Sequence, residues 1–543
     1  MNLIRYLFRQ SRPLMFATLI TSVLGGLSSA ALMWVIGRSI SGAAPAATLA
    51  WQFFGLCLAY MVLKYCSEVA LLHLTQTATS QLRAMLSRKV LATSPAKLDE
   101  VGKPGVLLIL TRDIDIFVQF YQNMPLVCGD AVIVVACLGY MAWMSWEICA
   151  AFAVFLTAGL LTYHFAERMP LAQLAKSREK MNSIYEHFRS LIHGSKELQL
   201  NTRRGEMFID QVLKPELEHY RRMFTRGMVG YALIANVGAA QFYLVIGLLL
   251  FVVPQIWAQN SGTLLTVTLI LLYLIRPVTM IATALPMLRH ASIALKKIEQ
   301  LDTTLTSPEP PPHDAVDPFD SPSPLRLELR GIVHHYPGPT DDSRFTLGPV
   351  DLTVRQGEIL FIVGGNGSGK TTLGLVMLGL YEPESGTIAL NGVAVDEANR
   401  SQYRQYFSAV LSDFHVFEQL LGDDRQALSE RATYYIDVLG MSHKVKIIDG
   451  KFSTIDLSSG QRKRLALVWS YLEDRPIYLF DEWAADQDPA FKRVFYTELL
   501  PELKARGKTV LIITHDDAYF SFADRIVRLE DGHLRQLAVP ERV

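Results

Sequence analysis

The chain has 543 residues, half of them apolar and only 19% charged, and its 52 basic and 52 acidic side chains balance to a net charge of zero. That balance lacks the basic excess of a nucleic-acid binder, so no nucleic-acid partner is expected. The shortfall of charge against the roughly 25% of ordinary soluble proteins is concentrated before about residue 290 and points to a membrane-embedded first half, while the five cysteines (Cys57, Cys66, Cys128, Cys137 and Cys149) lie in apolar stretches with no C-x-x-C pair, which excludes a disulfide framework.

Arg5, Arg9 and Arg12 precede an apolar stretch from about Leu14 to Ile36, too long for the core of a signal peptide and long enough to span a bilayer. The small residues Ala43 to Ala47 imitate a cleavage site, but removal there would leave the later spans with the wrong orientation. Further spans are expected at about Trp51 to Leu72, Leu126 to Met144, Ile148 to Phe165, Gly230 to Val253 and Leu264 to Leu288, six in all. The long segments between spans two and three and between four and five are rich in Lys and Arg, whereas the connectors 39–50, 145–147 and 254–262 have none. Both termini and both long segments are therefore expected on the cytoplasmic side of a multi-pass protein surrounded by membrane lipid. Helical periodicity continues through those segments, as at Met181 to Leu191, so the spans should extend beyond the membrane. Short helices at Leu98 to Gly105 and Asn201 to Phe208 are expected to touch the C-terminal domain.

Residues 302–324 are proline-rich and read as a linker between a transmembrane domain at 1–301 and an α/β nucleotide-binding domain at 325–543, in which strands alternate with helices. Within the latter, Gly364, Gly365, Asn366, Gly367, Ser368, Gly369, Lys370, Thr371 and Thr372 fit the pattern G-x-x-x-x-G-K-[ST] between an apolar strand and a helix. Such a loop turns backbone N–H groups around a triphosphate, Lys370 reaches the outer phosphates, and Thr371 offers a hydroxyl to Mg²⁺. The apolar strand Ile477 to Phe480 ends in Asp481, placed to hold Mg²⁺, and Glu482, placed to polarise an attacking water. His515 follows another apolar strand, Thr509 to Ile513, where a sensor of the terminal phosphate is expected. Ser458, Ser459, Gly460 and Gln461 precede an amphipathic helix and by composition alone form an ordinary N-cap.

With those neighbours, Leu457 to Gln461 resembles the LSGGQ signature of ATP-binding cassette (ABC) transporters, and the resemblance covers nearly the whole chain. It implies a six-span exporter domain fused to a P-loop ATPase, an ATP hydrolase coupled to translocation, with ATP and Mg²⁺ as cofactors. It further implies Tyr336 as the aromatic that stacks on adenine, Glu482 as catalytic carboxylate, Asp488 in the D-loop and His515 as the switch histidine. Ser412 stands where the family has its Q-loop glutamine, Ser459 replaces the second signature glycine, and Ala485-Asp486-Gln487-Asp488 is more acidic than the usual D-loop. Because a signature of this family completes the ATP site of another ATPase domain, one chain is half a machine, and the simplest completion is a homodimer.

Lys64 and Glu68, four apart on one face of the second span, read either as a self-neutralised pair or as part of a substrate cavity. Arg276, followed by Pro277, is expected to interrupt the sixth span and face a cavity, with Asp130 as a partner. The phrases GGNGSGKTTL, FSAVLSDFHVF and DEWAADQDPAFKRVFY, with Trp483 and Ser412, are similar to the cyclic-peptide and siderophore-peptide exporters of bacterial inner membranes, the pyoverdine, syringomycin and microcin type. The implied cargo is a peptide or siderophore-like molecule; the alternatives are a lipid or lipopeptide flippase and an ATP-gated membrane regulator that moves nothing.

Overall fold

The computed structural model describes residues 12–40, 45–256, 261–305, 317–336, 345–422 and 424–537. It divides into two compact units, Met1–Leu86 with Val106–Asp302 and Ser87–Gly105 with Thr303–Val543.

The first unit is helical. Its long helices are α1 (Arg12–Ile40), α2 (Ala46–Ala92, whose end belongs to the second unit), α5 (Ile114–Met144), α6 (Trp146–Ala166), α7 (Arg168–His193), α10 (Lys214–Phe251) and α11 (Ser261–Thr304), with short α8 (Ser195–Leu200) and α9 (Thr202–Met207) before α10; short α3 (Pro95–Val101), in the second unit, and α4 (Lys103–Leu108), which straddles the boundary, precede α5. Six helical stretches are long and apolar enough to cross a membrane, each overlapping an expected span. At about 1.5 Å per residue, the 47 residues of α2 reach about 70 Å, more than twice the hydrocarbon thickness of about 30 Å, so the helix projects well beyond a bilayer.

Packing among the spans is carried by Ile133, Cys137 and Met141 of α5, Phe152 of α6, Leu249 of α10 and Val267, Leu271 and Leu274 of α11. Elsewhere apolar side chains face outward, and Trp51, Trp143 and Trp146, beside the short connectors, are exposed as an interfacial belt would require. The expected interruption at Arg276-Pro277 is absent: α11 runs unbroken through both residues. Proline removes one backbone donor there, and burial of Leu274, Val278 and Ala282 keeps the helix continuous around it.

Two π-helical turns, Ile109–Asp113 after α4 and Phe208–Leu213 after α9, occupy matching places in the two long loops. Each follows a pair of short helices, broken at Gly102 with φ of +84° in one case and at Asn201, which caps Arg204, in the other. The first pair lies at the expected short helix, and α3 belongs to the second unit, where Ala96 packs against the apolar core. The second pair belongs to the helical unit.

In the second unit, β1 (Arg326–Tyr336), β2 (Phe345–Arg355), β4 (Ser385–Leu390) and β5 (Val393–Ala394) form an antiparallel sheet in the order β2-β1-β4-β5. Strands β3 (Ile359–Gly364), β6 (Phe407–Val410), β9 (Ile477–Asp481), β10 (Thr509–Ile513), β11 (Arg525–Glu530) and β12 (His533–Leu537) form a second sheet in the order β12-β11-β3-β10-β9-β6, parallel except for β12; β7 (Ile447–Ile448) and β8 (Lys451–Phe452) are a short hairpin. The central strands are buried on both faces, and alternation decides which core each residue enters. Phe361, Tyr478, Phe480, Val510 and Ile512 fill one side, while Leu360, Ile362, Leu479, Leu511 and Ile513 fill the other.

Of the expected linker 302–324, residues 306–316 lie outside the described residues. Residues 302–304 finish α11, and beyond the undescribed stretch Phe319 is fully buried against the rings of Tyr403 and Tyr406. The Asn391 amide donates to its carbonyl at 2.8 Å, and the Tyr406 hydroxyl donates to Asp317 at 2.9 Å. The end of this proline-rich run is therefore an anchor on the second unit.

Candidate nucleotide-binding site

Strands β3, β9 and β10 are neighbours in register, Ile362 and Asp481 both opposite Ile513, so the phosphate-loop pattern, the carboxylate pair and His515 emerge from the C-terminal ends of adjacent parallel strands. The loop leaves β3 at Gly364 and enters α12 (Lys370–Met377) through Gly369, which has a φ of +97°. A Cβ there would lie 2.7 Å from the Phe345 ring, so both backbone and space demand glycine. Lys370 is 5% exposed, and its ammonium donates to the carbonyls of Gly364 at 3.1 Å and Gly365 at 2.9 Å. Burial lowers its pKa, opposed by the charges of Glu482 and Asp481. The ammonium is thus held inside the loop, on partners weaker than a triphosphate. The side chain of Ser368 is buried with its hydroxyl unpartnered among the described residues, facing the same interior.

Asp481, at the end of β9, is 1% exposed. Thr371 and Ser412 stand within hydrogen-bonding reach of its carboxylate, though neither oxygen has a partner of ordinary hydrogen-bond geometry among the described residues. Burial raises its pKa. A buried carboxylate beside a threonine and a serine hydroxyl fits a hard divalent cation that keeps part of its water shell. Ser412, which stands where the family has a glutamine, is thus a neighbour of this carboxylate.

Glu482 stands in left-handed backbone at φ of +50°, its N–H donating to the Ile513 carbonyl at 3.0 Å. That turn separates it from Asp481: one carboxylate is buried and the other is half exposed, with Oε1 3.2 Å from Nε2 of His515. Thr514, before the histidine, donates its N–H to Ile362 and shares a 2.8 Å hydrogen bond with Tyr496.

Ser458 caps α13 (Ser459–Glu473) in a reciprocal capping box with Gln461, leaving the signature residues at an exposed helix N-terminus. Ser459 donates to Asp486 at 3.1 Å, and the Gly460 carbonyl accepts from Gln487 at 2.9 Å. Asp488 accepts from the Phe491 N–H at 2.9 Å and pairs with Arg464 at 2.5 Å, so both oxygens are engaged within the chain. These links through Arg464, Asp486 and Gln487 are marked in the sequence only by the acidic departure at 486–488. Tyr336 ends β1, paired with Phe345; its side chain lies outside the described part of the structure.

Among the spans, Asp130 lies within electrostatic reach of Arg276 and Lys64, on three different helices. Lys64 sits 5.7 Å from the Tyr60 ring and, among the described residues, makes no ion pair with Glu68, which is exposed. Next to this cluster the Tyr273 hydroxyl is hydrogen-bonded to Ser29. A separate, mainly apolar cavity between α6, α10 and α11 is lined by Phe152, Tyr163, Gln241, Phe242 and Thr279 among others.

Residues 347–485 match the family model described as ABC transporter. The chain is 36% identical, over 98% of its length and 95% of the relative's, to the ATP-binding protein SyrD of Pseudomonas syringae pv. syringae. It is 23% identical, over 88% of its length and 81% of the relative's, to an ATP-dependent lipid A-core flippase of Paraburkholderia xenovorans. Its fold is similar to that of a bacterial Atm1-family ABC exporter solved with ATP bound, at a TM-score of 0.73 and 17% identity over 96% of this chain and 95% of that one.

Proposed function

The chain belongs to the ABC transporter family, as a half-transporter of the exporter type whose ATPase drives transport, and from that premise we propose that two copies form a homodimer in the bacterial inner membrane, with both termini cytoplasmic, that exports a peptide or siderophore-like molecule. The observation that carries the choice of cargo is that Lys64 and Arg276, each from a different span, lie within electrostatic reach of Asp130 on a third. Charges of both signs inside a membrane are costly to retain. They suit a polar, zwitterionic cargo better than a simple hydrophobe.

ATP is bound by the loop 364–372, with Lys370 moving from the loop carbonyls to the outer phosphates, and by Ser458 to Gln461 of the second copy. Thr371 and Asp481 would hold Mg²⁺, which would supply charge neutralisation at the phosphates. Glu482 orients and polarises the attacking water, and His515, held on Glu482, meets the terminal phosphate. Closure of the two ATPase units and its release exchange two packings of the spans. α3, bound to the ATPase core, is the element through which that closure is passed on.

The test is uptake of a labelled peptide into inverted vesicles. ATP-dependent uptake is expected with the unaltered protein and is lost with Glu482→Gln. The likeness to lipid A-core flippases favours a second reading, lipid or lipopeptide flipping. ATPase activity that rises with lipid and ignores peptide would select it, whereas ATP turnover without movement of either would leave a membrane regulator.

A further inference from the structure

Trp483 has no part in the hydrolysis scheme above. It is 1% exposed, its ring 4.4 Å from that of Phe495, and its indole N–H donates to the backbone carbonyl of Lys463 at 2.8 Å. Lys463, in the second turn of α13, is itself 5% exposed. Its ammonium donates to the backbone carbonyl of Glu482 at 2.9 Å and pairs with Asp486 at 2.9 Å. Asp486 also accepts from Ser459. The signature helix is therefore pinned through both backbone and side chain to the turn that carries Glu482.

A buried ammonium is tolerated only when its donors are satisfied. Here it is satisfied by the one residue of the site that must hold left-handed backbone despite its Cβ, at φ of +50°. We infer that Lys463 is a positioning residue for hydrolysis: it holds the left-handed turn at Glu482 and so aims that carboxylate. Its helix begins at Ser459. When that first turn engages nucleotide on the second copy, the displacement passes through Lys463 to Glu482 of its own chain, so occupancy of one site adjusts the carboxylate of the other. This rests on Glu482 being the water-polarising residue, as proposed above.

The experiment uses purified full-length protein in lipid discs. Because misplacing a catalytic group by about 1 Å costs up to about 100-fold, Lys463→Met is expected to lower kcat about 10- to 100-fold while the KM for ATP shifts less than about three-fold, and Lys463→Arg to recover most of the loss. Lys463→Met at normal kcat with Glu482→Gln inactive overturns this inference alone; an active Glu482→Gln overturns the assignment beneath it. Should the methionine variant not fold, Asp486→Asn removes the ammonium's charged partner from the exposed side. A fall in kcat of about three-fold or more at steady KM is expected, and no change overturns the proposal. Mixed dimers locate the effect. If Lys463 acts on its own chain's Glu482, a dimer of Lys463→Met with Glu482→Gln is impaired at both sites and runs about ten-fold or more below unaltered protein paired with Glu482→Gln. Equal rates in the two mixtures would place the effect on the second copy's site and overturn the proposal.

Discussion

The two units satisfy their polar groups in opposite ways. In the ATPase unit nearly every charged side chain near the site has a fixed partner: Lys463 with Asp486, Arg464 with Asp488, Lys492 with Asp516, His515 with Glu482. Among the described residues, the Asp481 carboxylate and the uncharged Ser368 hydroxyl are buried without a partner of ordinary hydrogen-bond geometry. In the spans charges are few and held apart, with Asp130 in the field of Arg276 and Lys64 but in contact with neither by an ion pair among the described residues. A site that performs one reaction on one ligand is built to a fixed geometry. A passage that must release its cargo on the far side is better served by charges that do not neutralise one another.

The largest effect should come from breaking the fixed site. Lys370→Ala removes the ammonium proposed to reach the outer phosphates, and ATP turnover should fall about 100-fold or more with the protein still folded and membrane-inserted. Turnover near normal in that variant would remove the basis for placing nucleotide in this loop at all. Next are the separated charges. Arg276→Leu or Asp130→Asn should lower peptide transport about ten-fold while basal ATPase stays within about two-fold, because both residues lie in the spans and take no part in the proposed hydrolysis. Equal losses of transport and turnover would erase the contrast between the units.

Most of the ATPase site was legible because it is written in local rules. Gly369 must hold positive φ, Ser458 and Gln461 cap a helix, and alternating apolar residues bury strands on both faces. Each constraint leaves a mark within a few residues. The six spans were legible for the same reason, as runs of composition. What was not legible depends on tertiary context. Phe319 looks like one apolar residue in a proline-rich tether, and nothing nearby reveals that Tyr403 and Tyr406 receive it. Pro277 reads as a helix break, but burial of its neighbours overrides the lost hydrogen bond. Lys463 has the appearance of a solvated charge on a basic helix start, and its burial shows only when the turn after β9 is folded over it.

Phe319 also gives a prediction of intermediate size. Deleting a fully buried phenylalanine ring costs about 3–5 kcal/mol, so Phe319→Ala should lower the melting temperature of the ATPase unit by several degrees and leave kcat at low temperature largely intact. An unchanged melting temperature would mean that the tether is not anchored there.

The smallest effect belongs to the place where α3 meets the ATPase unit. Glu382 accepts from Arg400 at 2.8 Å, and that bond, opposed by partial desolvation and helped by the charges of Arg400 and of Lys97 on α3, lowers its pKa. A depressed carboxylate contributes stability above its unfolded pKa of about 4.3 and loses it as pH falls through the lower folded value. Glu382 is 67% exposed, so solvent screening holds the contribution to about 1 kcal/mol or less. Glu382→Gln should therefore melt slightly earlier than the unaltered protein at pH 7, and the gap should narrow as the pH is taken from 5 toward 3. Salt should narrow it at pH 7 as well, since the pair is screened. If transport per ATP also falls in Glu382→Gln while Lys97→Gln does the same, the fixed geometry of the ATPase unit reaches as far as α3; if only the melting temperature moves, the coupling runs through apolar packing at Ala96 and the charges there are incidental.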